Sequence, residues 1–241
     1  MKKYTSAALL ALKLTWKMVL LTFTLTLVLQ IFDGFRELMP GGVPLQAAFG
    51  FENLLRSAAQ PAGKWWTVML LAFLTVSAGS SKGSKSVYTM SRLGLGETHM
   101  TLLFGLAFTG YFLLYWISQI AVCYGFFVWY SRLSLVSSNT FMLACWRSEW
   151  LHILLPLNEW WGYLRNLAIC GSFGFSAAFG SLLLRRGKFP VGCALPPLLC
   201  LAMLSGRIVS FGLDLALTVL LTVFTIGYYL VLKGGREDED L

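Results

Sequence analysis

Long apolar runs separated by short polar stretches set the plan of this chain. The runs fall at 18–32, 65–81, 99–131, 166–184, 190–206 and 214–232. A helix rises about 1.5 Å per residue and a bilayer core is roughly 30 Å thick, so runs of this order read as membrane spans. The pattern predicts an all-α polytopic membrane protein with six transmembrane helices in a single transmembrane domain, 1–241. The third run is the longest, because 98–131 holds no Asp, Glu, Lys or Arg. As one helix it would rise about 51 Å. It is read as one long span, since two spans there would reverse the side on which Arg185, Arg186 and Lys188 emerge. Pro196-Pro197 predicts a kink in the fifth run.

The stretches between the runs carry their own patterns. Residues 1–17 hold Lys2, Lys3, Lys13 and Lys17 with apolar residues between. They read either as an interfacial helix on the inner surface or as the start of the first span. A basic start before an apolar run also suggests a signal peptide, but no small-x-small site follows closely, so cleavage is not expected. Residues 33–64 form a polar connection with Pro40, Pro44, Pro61 and Gly41-Gly42, and one short helix is expected over 49–59. Residues 80–100 form an inner loop with Lys82, Lys85, Arg92 and Glu97. Ser84 suits an N-cap and Gly94 a left-handed stop. Val87, Met90 and Leu93 recur at i, i+3, i+6 beside Tyr88. This is a short amphipathic helix, or a solvated loop with a single helical turn. In FMLACWRSEWLHILLP, Trp146, Trp150 and Ile153/Leu154 recur at helical spacing, which predicts an interfacial or re-entrant helix within an outer segment, 133–165. A polar tail, 233–241, closes the chain.

Composition and charge sharpen this picture. Hydrophobic residues make up 57% and charged residues 12%, about half the charge of a soluble domain. The net charge of +8 must be read by location. With both termini inside, 12 of the 19 Lys and Arg are inner, and seven of the nine tryptophans lie near the outer interface. Both biases favour a multi-pass protein of the cell membrane with cytoplasmic N- and C-termini. The cations are dispersed among the spans, so no nucleic-acid partner is expected.

Candidate chemistry is sparse. No GxxxxGK[ST] phosphate loop occurs, and Gly94-Leu95-Gly96 is a lone G-x-G that reads as a turn. The five cysteines (123, 145, 170, 193, 200) contain no C-x-x-C, so neither zinc nor a redox pair is expected. Glu149 and His152 share a helix face, but without a second Glu/His set they read as a surface pair and no metal site. Asp33, Asp214 and Arg165 are expected at span edges. A coupling carboxylate within a span is therefore not expected, which argues against an ion-driven carrier. No catalytic set is found, so the chain is not read as an enzyme. Tyr111, Tyr115, Gln119 and Tyr124 in the third span either line a translocation path or pack against neighbouring helices.

A six-helix membrane protein without its own energy source, and with a structured inner loop after its second span, resembles the ABC-2 type permeases. These are the membrane subunits of ATP-binding-cassette exporters with the type V exporter-like fold. The resemblance rests on the basic N-terminal helix, SKSVYTMSRLGLGETHM, the long third span and WRSEWLHILLPLNEWWGYLRN. It implies export of a hydrophobic or peptidic substrate. ATP and Mg would be bound by a separate cytoplasmic ATP-binding-cassette ATPase and not by this chain. It also implies a second permease, as homo- or heterodimer. Residues 80–100 would then be the coupling loop, with Lys85, Tyr88, Met90, Arg92 and Leu93 facing the ATPase. The family places its re-entrant helices before the last span; here the outer aromatic segment precedes span four. A non-transporting membrane subunit or sensor that assembles with other membrane proteins is the alternative.

Overall fold

The computed structural model describes residues 2–38, 47–79, 94, 96–133, 139–157, 159–190, 192, 193, 195, 198 and 211–237. Every element assigned among them is helical. α1 is Lys2–Leu38 and α2 is Ala47–Leu54, followed by a π-helical turn, Leu55–Ala59. α3 is Gln60–Gly79, α4 Glu97–Leu133, α5 Thr140–Arg147, α6 Glu149–Leu154, α7 Trp160–Arg185 and α8 Phe211–Glu237. Among the described residues, three helices are long and apolar enough to cross a membrane: Tyr4–Arg36, Glu97–Arg132 and Trp160–Arg185. The chain is an all-helical protein of a kind compatible with a membrane. In α3, Gln60, Lys64 and the Trp65-Trp66 pair dilute the first two turns. The Pro196-Pro197 kink and the fifth run lie largely outside the described residues.

The face that packs inward on α1 is its least greasy one. Ala7, Ala11, Thr15, Val19, Thr22, Thr26, Gln30 and Gly34 are all buried and recur every three or four residues. Leu9, Leu20, Leu21, Val28 and Phe32 point outward. A soluble helix would show the reverse. In a bilayer, lipid already solvates leucine, so small and polar side chains make the helix contacts. The threonine hydroxyls are satisfied within the helix: Thr15 donates to Ala11 O at 2.8 Å, Thr22 to Met18 O at 2.7 Å and Thr26 to Thr22 O at 2.7 Å. α7 follows the same rule. Gly174 lies so close to Thr109 that an added Cβ would stand 2.5 Å from the Thr109 backbone nitrogen.

Contacts along the bundle give the helix directions. α1 and α4 run the same way: the Thr15 and Tyr111 hydroxyls meet at 3.4 Å, Phe23 meets Tyr115 at 5.3 Å and Phe35 meets Trp129 at 4.6 Å. α3 and α7 run oppositely, with Gly174 on Thr109 of α4 and Gly79 on Leu184. α8 brings Tyr228 back to the end of α7, stacked on Phe179 at 5.2 Å. One core lies between α1, α3, α4, α7 and α8. A second is formed by α2, the π turn, the later half of α4, α5 and α6.

The element boundaries depart from the sequence expectation in three places. Residues 1–17 are not a separate interfacial helix, because α1 is continuous from Lys2 to Leu38. Neither Gly nor Pro interrupts this stretch, and Ala7, Ala11 and Thr15 continue the inward stripe. The short helix expected over 49–59 joins α3 through the π turn, where the Gln60 N–H reaches Leu55 O. Pro61 has no N–H and its ring would crowd the carbonyl of residue 57; the wider turn accommodates both. The aromatic segment is two helices rather than one. Ser148 is extended (ψ 119°) and its Oγ accepts from Leu151 N at 3.4 Å, an N-cap that starts α6. Pro156 stops α6, since the residue before proline is pushed out of helical conformation.

Candidate functional site: a polar seam inside the bundle

Three of the four expected path residues, Tyr111, Tyr115 and Gln119, lie one helical turn apart on α4 and face inward, 8%, 3% and 2% exposed. Tyr124 does not join them. It is exposed, packing its ring against Phe127 and Phe141. The sequence spacing explains the split: 111, 115 and 119 share one face, and 124 lies about 140° further round. Lys85, Tyr88, Met90, Arg92 and Leu93 lie outside the described residues, as does the amphipathic stripe expected there. Gly94 is described and has φ 59°, the left-handed conformation.

Around Gln119 five elements converge. Gln30 Nε2 of α1 donates to Gln119 Oε1 at 2.6 Å and to Ala59 O, at the end of the π turn, at 3.2 Å. Tyr115 OH donates to Gly63 O at 3.2 Å, and Thr67 Oγ1 donates to the same carbonyl at 2.7 Å. Trp150 of α6 closes the group. Gly63 is required here, because a Cβ would stand 2.6 Å from the Trp150 ring and 3.0 Å from Gln119 Oε1. Among the described residues, Gln30 Oε1 and Trp150 Nε1 are buried without a hydrogen-bond partner. An orphaned acceptor and an orphaned donor beside one glutamine suit a polar guest that offers both functions, such as water, a hydroxyl or an amide. Among the described residues, the groups that meet here are two amides, a phenol, a hydroxyl and an indole, with the Lys64 ammonium 5.9 Å from the Trp150 ring, and what they offer is hydrogen bonding.

Sequence reasoning missed Gln30 and Trp150. The usable signal was the small and polar stripe of α1, which ends in Gln30 and Gly34. Sequence reasoning placed Arg165 at a span edge; the residue lies in the second turn of α7, and what the pattern did not foresee is its burial, 3% exposed. The cause is the unpaired C-terminal end of α6. Asn166 Nδ2 donates to Ile153 O at 2.8 Å, and Arg165 NH2 donates to the same carbonyl at 3.4 Å. Cationic and amide donors at a helix C-terminus satisfy its free carbonyls. Arg165 is thus a capping group for the corner that carries Trp150. Cys145, in the segment 133–165, is buried in α5, and burial pushes its thiol up to about 11.

At the opposite end the helix termini are tied together. Arg186 donates to the Glu97 carboxylate, joining the end of α7 to the first turn of α4. Gly187 (φ 75°) ends α7: its N–H bonds Leu184 O at 3.0 Å, and the Lys188 N–H bonds Leu183 O at 2.8 Å. Gly79, the last residue of α3, packs on Leu184. The ends of α3, α4 and α7 therefore meet around the connection 80–96.

These features define an all-helical, membrane-compatible bundle with a hydrogen-bonding seam of amide, phenol, hydroxyl and indole groups in its interior. Comparison with family models, curated proteins and solved structures returned no match.

Proposed function

We propose that this chain is the membrane subunit of an ATP-binding-cassette exporter of the ABC-2 type, with six spans and both termini cytoplasmic. α3, α8 and the run at 190–206 supply the spans beyond α1, α4 and α7. A separate ATPase binds ATP and Mg and drives the cycle. The observation that carries this reading is mechanical. The connection 80–96, which resembles a coupling segment, is flanked by helix ends that are tied to each other through Gly79–Leu184 and Glu97–Arg186. A push on that connection moves three helices together, and two of them, α3 and α4, line the Gln30–Gln119 seam. Coupling of this kind needs a packed element with two discrete arrangements. The neutral donors and acceptors of the seam fit a hydrophobic or peptidic substrate, whose amides need partners in a dry interior.

The resemblance also implies a second permease, as homo- or heterodimer.

The test acts on the coupling segment. Tyr88→Ala with Met90→Ala removes its apolar anchors, and losing a buried anchor costs about 2 kcal/mol or roughly 30-fold in affinity. The ATPase should no longer co-purify and export should stop, while the bundle stays folded. Arg92→Ala should matter less. A double variant that binds ATPase and exports normally refutes the assignment and leaves the non-transporting subunit as the better reading.

A further inference from the structure

An open cleft of about 110 Å³ lies where the α2–α3 run faces the α5–α6 corner, lined by Glu52, Asn53, Arg56, Gln60, Arg147 and Ser148. It is separate from the seam and is not used by the mechanism proposed above. Two walls build it. Glu52, Arg56 and Gln60 are spaced i, i+4, i+8 along the run that contains the π turn. Arg147 and Ser148 come from the end of α5, where Ser148 is already engaged as the N-cap of α6. Glu52 and Arg147 approach across the cleft at 3.9 Å, with Arg147 half exposed. An ion pair this long and this open is worth about 0–1 kcal/mol, so it holds the Glu52 carboxylate only weakly.

We propose that this cleft binds a phosphoethanolamine group, either lipid-borne or soluble. Guanidiniums on opposite walls, Arg56 and Arg147, address a tetrahedral phosphate from two sides; a flat carboxylate presents both oxygens to one fork. Glu52 then takes the ligand's primary ammonium. The carboxylate selects an N–H-bearing cation. A quaternary choline has no N–H and is held by aromatic faces, and the cleft lining has none. The amides of Asn53 and Gln60 supply neutral donors for the remaining phosphate oxygens. The lining's charge, two guanidiniums against one carboxylate, complements an anion that carries its own ammonium.

The experiment uses the full chain, purified into phosphatidylcholine nanodiscs. Thermal stability is read with phosphatidylethanolamine or phosphatidylglycerol doped into the disc, and separately with soluble glycerophosphoethanolamine, glycerophosphoglycerol and glycerophosphocholine. The ethanolamine forms should bind at least tenfold tighter than the other two. Response to the doped lipid alone assigns a lipid headgroup, and response to the soluble compound assigns a free ligand. Glu52→Gln should erase the preference for ethanolamine over glycerol while keeping phosphate binding. Arg56→Gln with Arg147→Gln should abolish both. Equal responses to the three headgroups in the unaltered protein overturn the proposal, even if a variant does not fold. An undiminished ethanolamine preference in Glu52→Gln overturns it as well. Export plays no part in this assay, so failure here leaves the permease reading untouched.

Discussion

Gly174→Ala is the sharpest test of how the bundle is held. The added methyl would stand 2.3 Å from Thr109 Oγ1, 2.5 Å from its backbone nitrogen and 2.8 Å from its Cα. Two of these are main-chain atoms of α4, which no rotamer change can move. Ordinary carbon contacts lie at about 3.5–4.0 Å, so α4 and α7 must part by roughly 1 Å at their crossing. Overpacking of this kind costs about 1–3 kcal/mol, or roughly 5- to 150-fold in the folding equilibrium. Gly171, on the same helix, has nothing within 4 Å of its would-be Cβ. Gly171→Ala should therefore be neutral or stabilise by up to about 1 kcal/mol, since alanine is the better helix former. The assay is reversible unfolding in mixed micelles, followed by tryptophan fluorescence. Equal stability of the two variants, or a stable Gly174→Ala, would falsify the close crossing of α4 and α7.

Two further predictions concern the seam and the topology. Gln30→Leu or Gln119→Leu alone should cost about 1–3 kcal/mol by stranding the other amide, whereas the double variant should cost much less than the sum; a thermal double-mutant cycle decides, and additivity would remove the Gln30–Gln119 pair. In a cysteine-free background, a cysteine at Ser138 should label in sealed cells and one at Ser84 should not; labelling of both, or of Ser84 only, ends the proposed orientation.

Parts of this architecture were legible from residue pattern and parts were hidden by it. The charge-free stretch 98–131 folds within the single helix α4, because nothing in it breaks a helix and every turn is apolar. The inward set Tyr111, Tyr115 and Gln119 was visible because it recurs every four residues. The packed face of α1 was not. Hydropathy measures how apolar a helix is, and in a bilayer the apolar face looks at lipid, so the contact face must be sought among Ala, Thr and Gln. The burial of Arg165 was hidden for a related reason. Its burial depends on the free carbonyls of a six-residue helix, α6, whose end is set by Pro156 and whose partner is reached only in three dimensions. The π turn was hidden too, although Pro61 within a continuous helical run was its available mark.

That π turn makes the region from α2 to α3 a phase-shifted helix. A straight α-helix advances about 100° per residue, and the wide turn at Leu55–Ala59 absorbs roughly one residue without advancing the rotation. Two surfaces with different rotational settings are thereby written into one rod. Phe51, Leu54 and Leu55 are aimed into the second core, and Leu70, Leu74 and Ala78 into the first. Removing a single residue from this turn takes out the one that the wide turn absorbed, so the run closes as a regular α-helix and Phe51 keeps its setting against Phe127 and Tyr130. Removing a residue from the regular turns on either side is instead a rotation, which swings α2 by about 100° against α3 and draws Glu52 away from Arg147. The π turn is thus the one place in this rod where the chain can lose a residue without turning one core against the other.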